Sequence, residues 1–200
     1  MNSILAIDSA TGPCSVALWD GSRVAAYLEN EKPVQQSASL MPMVEAALKE
    51  SGMGYKDIGL VACTVGPGSF TGIRVGLAAA RGISFAAGIK SVGFTTLEVL
   101  AFAAKKYAGA GENILAVLNA GKGEWYYASA NQSPVIGTLE TALVSIPNPF
   151  IIAGNTPGAC PITFPRADAL AELAAISTSA QELRPFYIRL PDAKLPAKNP

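Results

Sequence analysis

Residues 58–88 read IGLVACTVGPGSFTGIRVGLAAARGISFAAG, and this stretch decides the fold. The run 58–65 is apolar at every turn of the pleat, as a strand buried on both faces of a sheet must be. A glycine-rich loop, Gly66 to Gly72, follows it. Residues 72–87 are then apolar nearly all round, and Gly88 is a natural helix stop. A second short strand at 90–94 (KSVGF) completes a strand–helix–strand crossover, which makes this part of the sheet parallel.

Upstream, residues 3–8 (SILAID), 13–19 (PCSVALW) and 23–29 (RVAAYLE) predict a three-stranded meander, with Asp20-Gly21 as the hairpin turn. Residues 37–50 predict a helix with Leu40, Val44, Ala47 and Leu48 on one face and Met41 beside them. Pro42 belongs in its first turn or kinks it. Downstream, Thr95 or Thr96 caps a third helix reaching Tyr107, with Glu98 in its first turn.

After Gly109-Ala110-Gly111 the pattern restarts. Strands are expected at 113–118, 124–130, 134–139 and 150–153, and a helix at 167–176. The tail from Pro185 is Pro-rich and expected to run extended over the surface. The order gives an α/β protein of two related lobes, 1–97 and a smaller 98–200.

Composition narrows the function. Half of the 200 residues are apolar and 15% are charged, so the chain folds and its surface is short of charge. The formal net charge is zero, which leaves no bulk electrostatic footprint for unaided nucleic-acid binding. No apolar stretch reaches membrane-spanning length and no targeting signal opens the chain. Cys14, Cys63 and Cys160 lie far apart, so a reduced, cytoplasmic setting is expected. There is no histidine. That excludes Ser-His-Asp and Cys-His nucleophile systems and any His-ligated metal site.

Four features bear on chemistry. The loop at 66–72 opens a helix, and helix N-termini suit anions, so Gly66, Gly68, Ser69 and Thr71 are candidates to face a phosphate. It has no Walker lysine, and Thr71 stands where a dinucleotide fingerprint needs its third glycine. A tight structural turn is the alternative. Asp8 and Thr11, after the first strand, suit a nucleotide phosphate or its magnesium, or else an Asx turn. The helix 72–87 carries the stripe Ile73, Leu77, Ala80, Ser84, with Gly76 among its small residues, and is too apolar for one covered side. A subunit interface is the preferred reading, burial by the helix 37–50 alone the other. The turn at 119–124 places Lys122 and Glu124 near a ligand or in solvent. Asp57, Glu98 and Asp168 read as caps or surface charges.

Ile-Asp-Ser-Ala-Thr at 7–11, Gly-Pro-Gly-Ser-Phe-Thr-Gly-Ile-Arg-Val-Gly at 66–76, Gly-Lys-Gly-Glu at 121–124 and Pro-Phe-Tyr-Ile-Arg-Leu-Pro-Asp-Ala-Lys-Leu-Pro at 185–196 resemble the TsaB (YeaZ) family. The resemblance runs through nearly the whole chain. It implies an actin/Hsp70-like ATPase (ASKHA) fold of two RNase H-like lobes, the C-terminal one reduced. It also implies a non-catalytic dimerisation subunit, with no catalytic residue and no metal of its own. Such a subunit binds the TsaD transferase, which threonylcarbamoylates the adenosine 3′ of certain tRNA anticodons, with the TsaE ATPase completing the set. Self-pairing is a further property of the family. tRNA is then reached only through the complex, and no membrane is involved. No intrinsic cofactor is expected; the glycine loop allows ATP or ADP at the partner interface.

Pairing in the family uses the first two long helices, so Leu40, Val44, Ile73, Leu77, Ala80 and Ser84 are the expected contacts. Two departures stand out. The segment before the first helix is Gln35-Gln36-Ser37 where many members have histidine, and Asn119 replaces the usual aspartate of the second-lobe turn. Both weaken the rival reading, an independent ASKHA-type ATPase or kinase. A peptidase lacks both metal ligands and a histidine base.

Overall fold

Strands buried on both faces build the centre of the first sheet. The computed structural model describes residues 3–30, 36–129, 132–178 and 181–189. The first sheet comprises β1 (Ile4–Asp8), β2 (Ser15–Trp19), β3 (Val24–Glu29), β4 (Leu60–Thr64) and β5 (Lys90–Phe94), in the order β3-β2-β1-β4-β5. β1 pairs antiparallel with β2 and parallel with β4, and β4 parallel with β5. The second sheet comprises β6 (Asn113–Gly121), β7 (Glu124–Ser129), β8 (Val135–Gly137) and β9 (Phe150–Gly154), in the order β8-β7-β6-β9. It repeats the logic of the first, with antiparallel β7 and parallel β9 flanking β6, and stops one strand short. Two mixed sheets of this kind are the actin/Hsp70-like fold with a reduced second lobe.

The helices are α1 (Gln36–Ser51), α2 (Phe70–Ala87), α3 (Thr96–Ala104), α4 (Leu139–Val144) and α5 (Ala167–Ile176). Pro42 sits inside α1. Ser69 caps α2, its hydroxyl accepting from the Gly72 amide, and Gly88 ends it in the left-handed conformation. Thr95 and Glu98 form a reciprocal capping box on α3.

Layering follows from period two. Leu5 and Ile7 of β1 face α1 and α2, together with Val61 and Cys63 of β4. Ile4, Ala6, Ala17 and Ala62 face the opposite way, onto Leu170 and Ala171 of α5 and Val99 of α3. On the second sheet, Ala116 and Leu118 face α3, while Leu115 and Val117 face Ala142 of α4. The helices are therefore exchanged between the two sheets, and the expected boundary at 97–98 falls inside α3. α3, which follows the first sheet in sequence, packs mainly on the second, with Val99 reaching the first; α5, which follows the second, packs on the first. A buried hydroxyl fixes the latter, Ser15 Oγ accepting from the Ala167 amide at 2.9 Å.

The tail is held where it is described. Gln181 pairs with Gly93 at the edge of β5, and the Phe186 amide donates to Val65 O at 2.8 Å. Residues 190–200 of the extended tail lie outside the described residues. Among the described residues no helix is long and apolar enough to cross a membrane.

Candidate functional site

Two surfaces bear on function: the cleft between the lobes and the outer face of α1 and α2. The cleft has a volume of about 400 Å³ and is lined by Thr11, Ser69, Asn119, Gly121, Asn155 and Phe164, among others. The β1–β2 turn and the β6–β7 turn thus meet across it.

Asp8, the last residue of β1, is fully buried and does not line the cleft. Its Oδ1 accepts from Thr64 Oγ1 at 2.5 Å, while Oδ2 has no partner. Burial pushes its carboxyl up to about 7, against the pull of the Thr64 and Ala10 hydrogen bonds. The Thr11 hydroxyl is also buried without a partner. Among the described residues no group of three or more His, Cys, Asp or Glu could hold a metal ion.

The glycine-rich loop spends its polar groups on its own chain. The Ser69 amide donates to Ala10 O at 2.7 Å, and Gly66 O accepts from the Thr96 amide at 2.9 Å. Gly68 has no side chain because a Cβ there would run into the Ala10 carbonyl. Thr71 is exposed in the first turn of α2. The loop is a tight packing corner between β1, β4 and α2, so of the expected phosphate-facing residues only Thr11, Gly68 and Ser69 line the cleft.

The interface residues are placed differently from expectation. Leu40, Val44, Ile73, Leu77 and Ala80 are buried in the chain's own core and have no surface to offer. Ser84 is half-buried and its hydroxyl donates to Ile89 O. The physical reason is volume: the stripe with the large Ile and Leu side chains gains most by leaving water, so it turns to the sheet. Gly76 belongs to that side too. A Cβ on it would collide with Ser9 Oγ and lie 3.3 Å from Cys63 Sγ, so its smallness brings α2 close to β1 and β4.

What remains outside is a second apolar surface. A groove of about 810 Å³ runs between α1 and α2, lined by Met41, Tyr55, Ala78, Gly82, Ile83 and Ala86 with a few neighbours. Beside it Phe85 is 92% exposed. The sequence did carry this signal, in the alanines and the glycine of the outer face. Elsewhere, Glu124 pairs with Arg189, Asp57 and Glu98 cap their helical turns, and Asp168 holds Arg166 at 2.7 Å. Trp125 and Tyr127 pack against the core of the second sheet.

Comparison with known proteins gives these surfaces a context. Residues 34–146 match the family model described as TsaD: tRNA N6-adenosine threonylcarbamoyltransferase. The chain is 42% identical over 125 residues to the tRNA threonylcarbamoyladenosine biosynthesis protein TsaB of Escherichia coli, covering 62% of this chain and 53% of that protein. It is 32% identical over 134 residues to the protein of the same name in Haemophilus influenzae, covering 66% and 56%. The chain thus spans about half the length of the curated relatives it matches. A crystal structure from Pseudomonas aeruginosa, described as an uncharacterized protein similar to peptidase YeaZ, superposes with a TM-score of 0.82. The identity is 26%, over 94% of this chain and all of that one.

Proposed function

The chain belongs to the TsaB (YeaZ) family, and from that premise we propose that it is a cytoplasmic, non-catalytic subunit of tRNA threonylcarbamoyladenosine biosynthesis. It binds and activates the TsaD transferase by presenting α1 and α2. One observation carries this reading: the α1–α2 groove is apolar, lined by small residues that admit another helix, and bordered by a phenylalanine exposed at 92%. The family model that matches these helices is the transferase's own, which supports a pairing of like helix with like. tRNA reaches the chain only through the complex, and TsaE joins the same assembly.

Gly82→Arg tests this. No atom lies within 4 Å of where its Cβ would stand, so the variant folds, while the arginine fills the groove. Size-exclusion chromatography with purified TsaD should show loss of co-elution by a folded variant. Normal co-elution would refute the groove as the pairing surface, and a shift of the chain alone to twice its mass would reveal self-pairing there.

A second reading, adenine nucleotide in the inter-lobe cleft, is favoured by the unpartnered hydroxyl of Thr11 on its wall. Turnover is disfavoured, since Asp8 is fully buried and does not line the cleft. ATP hydrolysis by the purified chain, lost in Asp8→Ala, would reverse that judgement.

A further inference from the structure

We infer that the docking surface is wider than two helices: the C-terminal segment 181–189 forms its second flank, and Arg189 holds that flank in place from the second lobe. The inference rests on the reading above and extends it to new residues.

Phe70, Arg74, Ala78, Arg81 and Phe85 recur at helical spacing and form the outermost ridge of α2. The α1 groove lies on one side of this ridge. On the other side runs the C-terminal segment, bonded to the helix. The Arg81 guanidinium donates to Leu183 O, and Arg74 Nε donates to the Tyr187 hydroxyl at 3.1 Å. The Arg74 guanidinium stacks 3.7 Å over the Phe70 ring, whose centroid is 5.4 Å from that of Tyr187. Leu183 is buried in the core beneath. Beyond Tyr187 the segment crosses to the other sheet, where Arg189 donates to Ala120 O at 3.0 Å and pairs with the Glu124 carboxylate.

The composition of this flank is that of an interface centre. Arginine and aromatic residues, stacked and preordered, are the groups whose burial dominates association. Phe70 keeps 40% of its surface in water. The charges suit an occupant of the same two-helix architecture, and the family model that spans these helices names the transferase. α2 carries Arg74 and Arg81 and no carboxylate, and neither arginine has a carboxylate partner among the described residues. α1 shows Glu45 and Glu50 on its exposed side, with Lys49 beside Glu50 and Glu45 accepting from the Tyr55 hydroxyl. Two such helix pairs related by rotation set the acids of one α1 against the cations of the other α2. The transferase, whose family model spans these same helices, is such a chain.

The test is a binding titration of the full chain against the purified transferase of the same organism, with thermal melts of every variant. Tyr187→Ala and Arg189→Ala should each weaken binding by about tenfold. Glu124→Ala should match Arg189→Ala, and the double variant should be no worse than either. Arg189→Lys should recover part of the loss. Amide exchange at Phe186 and Tyr187 should slow when the partner is added. If Gly82→Arg abolishes binding while Tyr187→Ala and Arg189→Ala bind like wild type and the exchange rates do not move, the helices dock alone and the inference is overturned. If Gly82→Arg also binds normally, the functional reading itself has failed.

Discussion

Asp8 carries a carboxyl group shut away from water. Its carboxyl stays protonated up to about pH 7 in the native chain, whereas in an unfolded chain it ionises near 4. Between these values the native state holds a proton that the unfolded state has released, so stability falls as pH rises through the window and is flat above it. Asp8→Asn keeps the acceptor for Thr64 and removes the charge. Its advantage over wild type should grow from pH 5 to pH 8, by at most roughly 3 kcal/mol. Urea unfolding midpoints across that range measure it, and a pH-independent difference would mean Asp8 is ionised throughout. Gly68 makes the complementary point. Gly68→Ala should cost about 1–3 kcal/mol, because the added methyl presses on the Ala10 carbonyl. A glycine there was legible from the loop's pattern, but its reason was not: spacing cannot say whether a bare backbone approaches a ligand or another strand's carbonyl.

At the scale of elements, α2 shows what a one-dimensional pattern does and does not contain. Its length and its cap at Gly88 follow from residues 72–88, and each strand expected from the sequence has a counterpart. Its inward face was misjudged because two stripes are apolar; side-chain volume, not polarity, separates them. Consequently Ala80→Arg should unfold the chain, since Ala80 is fully buried. Gly82→Ala should raise stability by up to about 1 kcal/mol, as the methyl enters open space and the helix loses its most flexible link. Thr95→Ala should cost about 1 kcal/mol through the lost capping box on α3. Chemical denaturation reads all three. α4 escaped notice for a simple reason. Six residues are too few to show a period, although Thr138 does cap it, accepting from the Thr141 amide.

At the scale of the whole molecule, the trade of helices between the lobes could not be read from order alone. The pattern of residues 167–176 shows an apolar face but does not name the sheet it covers. The structure sets Leu170 and its neighbours on Ile4, Ala6, Ala17 and Ala62. A fragment ending at residue 112 leaves that face bare and should not fold cooperatively, whereas adding residues 160–189 as a separate peptide should restore its near-ultraviolet dichroism. Cooperative unfolding of the short fragment alone would show that the first lobe needs no cover. The same topology has a cost during synthesis. At roughly 5–20 residues per second, the ribosome delivers α5 only about 8 to 30 seconds after β1 has emerged. Until then the nascent chain carries a half-finished sheet with a sticky back, and it is in that interval that chaperones would find something to hold.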